Sequence, residues 1–534
     1  MFHPRQADQE EYVSAFTGRS LTVVEDFSID EQVYLYEKTR ELKERIRSGA
    51  DVSDFKIGDR SLGVYLVFLE DSTRTRESFA NAAQFHEVRV NHFNTATSSF
   101  NKNESITDTI KMLFGYSDKS LFVVRSRQEG LCRWLHDELG AYAERISMPR
   151  PVFINAGDGK HEHPTQEFLD EFSFLEQQNW NRDHLRIVLV GDLFHGRTVH
   201  SKVDGLKVFK NVEVDLVAPE ELAMPSYYVE RMKDNGFKVR EYPSIEEYLA
   251  TGDPAKIWYF TRPQLERMGE EIREKAAVLR NAITFRKEYM GRLKEGTRFY
   301  HPLPRHREYP TIPGFLDHTS LNAWDEQSTN GYFTRIVEIA LLAGKLGDGF
   351  TGSTRQWEEL PDDFIQEAPV GSGRKPEYKV GIKPVERGIV IDHIGRGRDL
   401  KKIWDHIDKI RRIMGFDIRS SHGVYHTNDS EIFKGIISLP DIISFDESQL
   451  KMLAAIAPGC TLNIIDDSRV QKKYRLRIPP KVYGFKEISC KNENCISRPE
   501  LFENVQPEFI RSKGNRFVCR YCDHSHSFHE IWDF

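Results

Sequence analysis

The sequence has few cysteines and no long hydrophobic run. Six cysteines among 534 residues are too few for the disulfide framework of a secreted protein. No segment offers the roughly 18 consecutive apolar residues that a membrane-spanning helix needs. The first residues also lack the basic region and apolar core of a secretory signal. We therefore expect a cytoplasmic protein that has no contact with a membrane.

The sequence also lacks an excess of one charge, an internal repeat and a low-complexity tract. Its 75 Lys and Arg residues face 82 Asp and Glu residues, which gives a net charge of -7 and a pI near 6.3. This balance does not favour nucleic-acid binding, whereas a local basic pocket for small anions is compatible with it. A chain of this length with 39% hydrophobic residues is too long for one compact core and predicts three or four domains.

Short apolar runs alternate with longer amphipathic segments between residues 62 and 345. This alternation is typical of parallel sheets with crossover helices, so we predict an α/β fold with two doubly wound parallel-sheet domains. A small α+β domain and a C-terminal β domain are expected to follow an exposed linker. The predicted boundaries are 1–155 and 156–345 for the sheet domains, 346–379 for the linker, 380–480 for the α+β domain and 481–534 for the β domain.

A run of hydroxyl and guanidinium side chains, STRTR, occupies residues 72–76 and directly follows the apolar stretch 64–69. Where a strand hands over to a helix, unpaired amides and the positive end of the helix dipole make a site for phosphate. Arg74 and Arg76 would add positive charge to it. The alternative is an ordinary helix cap followed by solvated arginines.

Five further polar segments repeat this chemical logic, at residues 98–105, 161–166, 191–198, 261–264 and 301–305. The first contains one lysine, which suits a phosphate or carboxylate but also an ordinary surface loop. In the second, His163 can polarise a carbonyl and Gln166 can bond an amide, although His161 and His163 also leave a metal site open. The third segment, 191–198, follows an apolar run typical of a buried strand. It lacks the GxGxxG fingerprint of dinucleotide binding.

The remaining strong pattern is a cysteine set, spaced Cys490-x4-Cys495-x23-Cys519-x2-Cys522. Two cysteine pairs at this spacing supply four thiolates, which favour a closed tetrahedral site for structural zinc with no open position for catalysis. One of the later histidines could replace a cysteine as ligand; these are His524, His526 and His529. Cys132 and Cys460 stand apart and are interpreted as core thiols.

The motifs STRTR, SSxxK, HPTQ, GRTVHS, TRxQ and HPLP, in this order, resemble the catalytic chain of the aspartate carbamoyltransferases over residues 15–345. The resemblance implies a carbamoyl phosphate-binding domain followed by an aspartate-binding domain. It also implies a homotrimer with shared active sites, because in the family the loop that carries Ser99 and Lys102 reaches into a neighbouring subunit. Asn103 departs from the glycine that usually follows the loop lysine.

The resemblance assigns site residues by position. Those implied for carbamoyl phosphate are Ser72, Thr73, Arg74, Thr75, Ser99, Lys102, Arg125, His163, Gln166 and the carbonyl of Leu303. Those implied for L-aspartate are Lys102, Arg197, Arg262 and Gln264. Catalysis would depend on Arg74, Thr75, Lys102, Arg125 and His163. Pro302 favours aspartate over ornithine, since ornithine-using relatives have a cysteine there.

This chemistry needs neither a protein nucleophile nor a metal. An amine attacks an activated carbonyl, negative charge develops on the oxygen, and phosphate leaves with more charge than it entered with. Cations and hydrogen-bond donors that face this charge accelerate the reaction, while the protein holds both reactants in attack geometry.

Residues 378–534 resemble the regulatory chain of bacterial aspartate carbamoyltransferases, through 385–394, 461–466 and the cysteine spacing. The resemblance implies a domain that binds an effector nucleotide such as CTP, ATP or UTP, at Ile382, Asp392, Lys434, Asn463, Ile465, Val470 and Lys473. Fusion would fix a one-to-one ratio of the two functions. Two alternatives remain: a structural or nucleic-acid-binding zinc module attached to the transferase, and a catalytically silent scaffold.

Overall fold

The structure is a computed structural model. It describes residues 14–93, 104–264, 275–356, 363–370, 385–416, 420–427, 431–440, 442–501, 503–512 and 516–533. These form two compact units. The first comprises the described residues up to Gln356 together with Asn492–Val505 and Tyr521–Asp523, and the second comprises the remainder. Among the described residues, no helix combines the length and the apolar character that crossing a membrane demands.

The first unit begins with a four-stranded parallel sheet of order β2-β1-β3-β4. Its strands are β1 Leu62–Phe68, β2 Arg89–Phe93, β3 Lys119–Ser126 and β4 Val152–Asp158. All seven residues of β1 are buried, as expected for a central strand covered on both faces. The accompanying helices are α1 Ile29–Ser48, α2 Thr73–Phe85, α3 Ile106–Phe114, α4 Leu131–Arg145 and α5 Pro164–Gln177.

A second parallel sheet of the same unit has the order β7-β6-β5-β8-β9. Its strands are β5 Leu185–Val190, β6 Val212–Val217, β7 Lys238–Tyr242, β8 Ile257–Phe260 and β9 Arg298–Tyr300. Its helices are α6 Arg197–His200, α7 Lys202–Gly205, α8 Ser226–Asp234, α9 Ile245–Ala250 and α10 Ala276–Ile283. The following helix, α11 Trp324–Leu342, packs against α1, α2 and α5. A shared apolar core joins the two sheets, in which Phe68 of the first and Tyr259 of the second belong to one buried cluster.

The predicted α/β class with two parallel sheets is confirmed. In both sheets the polar motifs follow the carboxyl ends of strands, where ligands of open parallel sheets bind. The STRTR run follows β1, the GRTVHS motif follows β5 and the TRxQ motif follows β8.

The second unit contains a six-stranded antiparallel sheet of order β10-β15-β14-β11-β13-β12. Its strands are β10 Ile365–Glu367, β11 Gly388–Gly397, β12 Ser421–His426, β13 Phe433–Pro440, β14 Thr461–Asp466 and β15 Arg469–Leu476. Its helices are α12 Leu400–Met414 and α13 Glu447–Ile456. Strand β10 lies within the segment expected to be an exposed linker, and it pairs with β15.

The C-terminal strands form a small antiparallel sheet of order β16-β17-β18-β19. They are β16 Lys481–Tyr483, β17 Glu508–Arg511, β18 Arg516–Cys519 and β19 Ser525–Ser527. The expected α+β and β architecture of the C-terminal third is therefore present.

Candidate functional site

The N-terminus of α2 is open at the carboxyl end of β1. Ser72 precedes the helix and does not cap it through its side chain, so the amides of the first turn keep their hydrogen-bonding capacity. Thr73 and Arg74 are exposed, whereas Thr75 is buried. Free amides, a helix dipole and a guanidinium group at one place suit a phosphate group.

Three predicted site residues from separate parts of the chain meet beside Gly157, at the end of β4. A β-carbon placed on this glycine would lie 2.9 Å from Nη1 of Arg125, 3.1 Å from Cδ2 of His163 and 3.3 Å from Cζ of Arg197. There is no room for such a carbon, and the backbone has φ +107° there, which glycine alone adopts readily. The structure thus brings together residues from both parallel sheets.

Glu70 lies among these cations, and the sequence analysis missed it. Its Oε2 atom is 3.2 Å from Nη2 of Arg125 and accepts a hydrogen bond from Nη1 of Arg197 at 3.3 Å. Arg125 and Arg197 also donate to the carbonyls of Ala156 and Gly159, at 2.9 and 3.0 Å. A carboxylate shared by two guanidinium groups offsets their repulsion and orients both. An acidic residue just before the STRTR run is too common a feature to reveal this role.

His163 stands directly before α5 and is held from two sides. Its amide donates to Oγ of Ser201 at 3.1 Å, and its Nδ1 atom lies 3.3 Å from Oγ1 of Thr165. Burial lowers the pKa of His163 well below its usual value, and the charges of Arg125 and Arg197 act in the same direction. The imidazole is therefore neutral at physiological pH.

The segment after β9 places His301 near cations from both sheets. Burial lowers the pKa of this imidazole to about 3. The charges that add to this effect are those of Arg305, Arg74 and Arg262. Nδ1 of His301 accepts from the amide of Leu303 at 2.8 Å, and the Leu303–Pro304 peptide is cis. The structure thus places Leu303 two residues from an imidazole that faces Arg74 and Arg262.

Asp192 joins the loops that carry Arg197 and Arg262. Its two carboxylate oxygens accept from the amides of His195 and Gln264, each at 2.9 Å. The side-chain nitrogen of Gln264 donates to the carbonyl of His195 at 3.1 Å. The ends of β5 and β8 are therefore cross-linked, which fixes the predicted aspartate-binding residues relative to one another. Ser99 and Lys102 lie outside the described residues.

The two histidines for which a metal site remained open, His161 and His163, have different hydrogen-bond partners. Nδ1 of His161 lies 3.0 Å from Oδ2 of Asp158, and Nε2 lies 2.9 Å from Oδ2 of Asp523. The nearby Glu162 accepts from the amide of Val24 at 2.9 Å. A ring that bonds carboxylates through both nitrogens donates twice and is protonated, whereas a metal needs a neutral imidazole. The group of His161, Glu162 and Asp523 is better explained as an ion-pair bridge.

In the second unit, the predicted effector residues share one face of the six-stranded sheet. Asn463 is the register partner of Lys473 in β15 and of Val390 in β11, and partners across a ladder point to the same side. Lys434 donates to the carboxylate of Asp392 at 2.9 Å. The partners Ile465 and Val470 stand at the end of the same two strands. Ile382 lies outside the described residues.

The four cysteine sulfurs of the C-terminal pattern lie within 4.8 Å of one another, and all four side chains are buried. Four converging sulfur donors fit a soft, tetrahedrally bound metal ion, which is the chemistry that the sequence predicted. Among the histidines considered as alternative ligands, His526 has its Nε2 atom 3.5 Å from Sγ of Cys490. Sγ of Cys495 lies 3.2 Å from the hydroxyl of Ser497.

Comparison with known protein families matches three regions of the chain. Residues 19–176 match the family "Aspartate/ornithine carbamoyltransferase, carbamoyl-P binding domain". Residues 380–477 match "Aspartate carbamoyltransferase regulatory chain, allosteric domain", and residues 480–532 match the metal binding domain of the same regulatory chain.

Two full-length relatives combine both regions in one polypeptide. The chain is 56% identical to protein PyrBI of Thermotoga maritima, over 97% of this chain and 99% of that protein. It is 52% identical to protein PyrBI of Treponema denticola, over 97% of this chain and 98% of that protein.

Solved structures resemble a large part of the chain. Aspartate transcarbamoylase of Trypanosoma cruzi in complex with N-(phosphonacetyl)-L-aspartic acid is 28% identical, with a TM-score of 0.53, over 62% of this chain and 97% of that chain. The catalytic subunit of M. jannaschii aspartate transcarbamoylase is 30% identical, with a TM-score of 0.50, over 60% of this chain and 97% of that chain. The chain therefore belongs to the aspartate carbamoyltransferase family, as a catalytic region fused in one polypeptide to the regulatory region of the same enzyme.

Proposed function

We propose that the site beside Gly157 converts carbamoyl phosphate and L-aspartate to N-carbamoyl-L-aspartate and phosphate, for pyrimidine synthesis. The observation that carries this proposal is the meeting of Arg125, His163 and Arg197 within 3.3 Å of one point, at the carboxyl ends of parallel strands. The nearby N-terminus of α2 suits the phosphate of the first substrate.

Each group has a distinct task in this proposal. The open amides of α2 and the side chains of its first turn hold the phosphate, and Arg125 stabilises the charge that grows as this phosphate leaves. With the hydroxyl of Thr165 donating to Nδ1, the neutral His163 carries its proton on Nε2, and this N–H donates a hydrogen bond to the carbonyl oxygen of the carbamoyl group. Gln166 and the carbonyl of Leu303 bind the amino group of the carbamoyl moiety.

The second substrate carries two carboxylates and therefore needs fixed cations. Arg197 and Arg262 provide planar guanidinium groups on loops that Asp192 ties together, and Gln264 stands on the same loop as Arg262. A cationic acceptor such as ornithine would be repelled by these arginines. In this proposal the anionic acceptor displaces Glu70 as the partner of Arg197.

We further propose that Ser99 and Lys102 act in the site of a neighbouring subunit of a homotrimer. This proposal is tested by mixing two inactive variants, Lys102→Ala and Arg74→Ala, after dissociation and reassembly. If sites are shared, hybrid trimers contain a site with both native residues, and activity returns. If each chain supplies its own complete set, the mixture stays inactive.

For the C-terminal third, we propose structural zinc at the four cysteines and an effector nucleotide on the sheet face of Asp392 and Asn463. Lys434 and Lys473 offer positive charge on that sheet for the phosphates. We keep 1–155 and 156–345 as the proposed substrate domains, 346–379 as the linker, and 380–480 and 481–534 as the nucleotide and zinc domains. We also propose a cytoplasmic location, because four clustered thiols suit a metal site of the kind that a reducing compartment maintains.

The decisive experiment measures carbamoyl aspartate and phosphate from the two proposed substrates, with and without CTP and ATP. We expect both products in equal amounts, and a change in aspartate affinity when a nucleotide is present. Absence of carbamoyl aspartate would refute the proposed reaction. Unchanged kinetics with every nucleotide would refute the regulatory part alone.

A further inference from the structure

A buried cluster of opposite charges lies on the inner side of α5, behind the proposed carbamoyl site. Nζ of Lys202 donates to Oε2 of Glu167 at 2.8 Å and to Oδ2 of Asp170 at 2.9 Å. The side chains of all three residues are 0% exposed. Removing a lysine and two carboxyl groups from water costs free energy, and their pairing only offsets this cost. Apolar residues of the same size could stabilise the fold equally well, so the cluster is better explained by a role other than stability.

Asp170 connects this cluster to the proposed substrate site. Its Oδ1 atom accepts from Nε2 of Gln166 at 2.9 Å and from Nε2 of Gln327 at 2.6 Å. The side-chain oxygen of Gln327 in turn accepts from the amide of His301 at 2.8 Å. Asp170 therefore bonds Gln166 directly and reaches the HPLP segment through one further side chain.

A carboxamide has a donor end and an acceptor end, and its orientation decides which substrate group it recognises. Because Nε2 of Gln166 donates to the Asp170 carboxylate, the nitrogen end of the amide is turned toward Asp170. The oxygen end is therefore available to accept a hydrogen bond from a substrate. An accepting group at this position recognises an N–H donor and disfavours an analogue that lacks one.

We propose that Asp170 and Lys202 are positioning residues that fix the orientation of the Gln166 carboxamide and thereby select a substrate with a carbamoyl amino group. This role rests on the proposed contact between Gln166 and that amino group. Asp170 and Lys202 would support this contact without touching the substrate themselves.

The role of Lys202 follows from the demands of a buried carboxylate. A protonated Asp170 could donate to the amide oxygen of Gln166 and stabilise the opposite orientation. A fixed cation at 2.9 Å favours the ionised carboxylate, which can only accept. Burial alone would lower the pKa of Lys202, but Asp170 and Glu167 raise it above its usual value, so the cation persists.

Two isosteric variants form a matched pair for the test, because each replaces the carboxyl group of one partner of Lys202 by a carboxamide and only one of these partners bonds Gln166. We expect Asp170→Asn to lower kcat/KM for carbamoyl phosphate about 10- to 100-fold. Its inhibition constant for acetyl phosphate, which has a methyl group in place of the amino group, should change less than about twofold. Glu167→Gln should leave both constants within about threefold of the native enzyme, as expected for a partner that bonds no substrate-facing group.

Lys202→Met is expected to show the same selective loss for carbamoyl phosphate. If this variant does not fold, the comparison of Asp170→Asn with Glu167→Gln decides alone. Equal losses for the two isosteric variants, or equal losses for carbamoyl phosphate and acetyl phosphate, would overturn the proposal.

Gln166→Ala separates this inference from the proposed contact on which it rests. We expect a loss of similar size, and no further loss when Asp170→Asn is added, because both changes remove one interaction. If Gln166→Ala has no effect, the contact with the amino group is wrong. If Gln166→Ala lowers kcat/KM and the double variant with Asp170→Asn shows the sum of both losses, the contact with the amino group is supported. The proposed positioning role of Asp170 is then wrong.

Discussion

The effect of a single arginine on this enzyme depends on its position and on its exposure to water. Arg125 lies near the end of β3 and Arg127 directly follows this strand, yet the side chain of Arg125 is 10% exposed and that of Arg127 is 84% exposed. Only the first reaches the point beside Gly157. Arg127 has its Nε atom 4.0 Å from Oε1 of Glu70, but water screens this exposed pair, so its charge has little effect on a reaction in the site.

We predict that Arg125→Ala lowers kcat about 100-fold or more, because it removes a donor that faces the charge of the departing phosphate. Arg127→Ala is the matched control and should retain kcat within about twofold. Both variants should be assayed at saturating substrates and checked for native melting temperature. A nearly normal kcat in folded Arg125→Ala would contradict its assignment.

His161 gives the protein a pH-dependent component of stability. Burial alone lowers its pKa, but Asp158 and Asp523 together raise the pKa well above the usual value. The folded protein therefore holds this proton more tightly than the unfolded chain. The resulting stabilisation is complete below about pH 6.5 and is lost as the pH rises through the folded pKa.

We predict that His161→Gln lowers the free energy of unfolding more at pH 6 than at pH 9, measured by denaturant titration of the metal-loaded protein. His184→Gln is the control, since its ring is 55% exposed and makes one long contact of 3.5 Å with Glu213. That substitution should change stability little at either pH. Equal losses at both pH values for His161→Gln would show that the bridge does not depend on its proton.

Helix α3 shows how an element can depend on a distant part of the chain. Its N-terminus is capped locally by Ser105 and also by Glu503, whose carboxylate accepts from the amides of Ile106 and Thr107 at 2.6 and 3.2 Å. The hydroxyl of Thr107 adds a third bond to this carboxylate at 2.7 Å. An acidic group at a helix N-terminus also interacts favourably with the helix dipole.

We predict that Glu503→Ala lowers the free energy of unfolding of the first unit by about 1–2 kcal/mol, because buried amides lose their acceptor. The control is Glu500→Ala in the same segment, where the side chain is 66% exposed and pairs with Arg498. This control should unfold like the native protein. Equal stability of both variants would mean that Ser105 and water satisfy the helix terminus.

At the scale of the whole molecule, catalytic and regulatory regions share one chain, and short segments of the metal-binding region fold with the catalytic unit. Glu129 illustrates this, since its amide donates to the carbonyl of Asn494 at 2.7 Å and its carbonyl accepts from the amide of Ile496 at 3.0 Å. Arg133 pairs with Asp523 at 2.8 Å. Covalent linkage keeps these partners at a high effective concentration even when the assembly is dilute.

We predict that chelation unfolds the cysteine module at a lower temperature than the parallel sheets, because a structural metal ion supplies folding free energy directly. Calorimetry should show one early transition that disappears when the metal ion is restored. Cys490→Ser should lose the bound metal, whereas Cys460→Ser, which alters a buried thiol outside the cluster, should retain about one ion per chain. A single unchanged transition after complete chelation would contradict this prediction.

Much of the fold and site was predictable because the informative patterns are local. The hydrophobic run before STRTR determines a buried strand, the hydroxyls after it determine a helix start, and both lie within a few residues of one another. The short strand β10 was not predicted. Three residues in a segment rich in charge and turn formers carry too little pattern, and only pairing with β15 makes them a strand.

The sequence by itself determined which chemical groups the protein has and in which order: the arginines and hydroxyls of the strand ends, the HPTQ segment, and four cysteines at metal-binding spacing. The tertiary structure alone decided which of these groups meet. Glu70 between two arginines, Lys202 beneath Asp170 and Glu503 on the amides of α3 follow from packing across long stretches of chain. Local propensity extends over a few residues, whereas such pairs form only after distant elements have buried a common core.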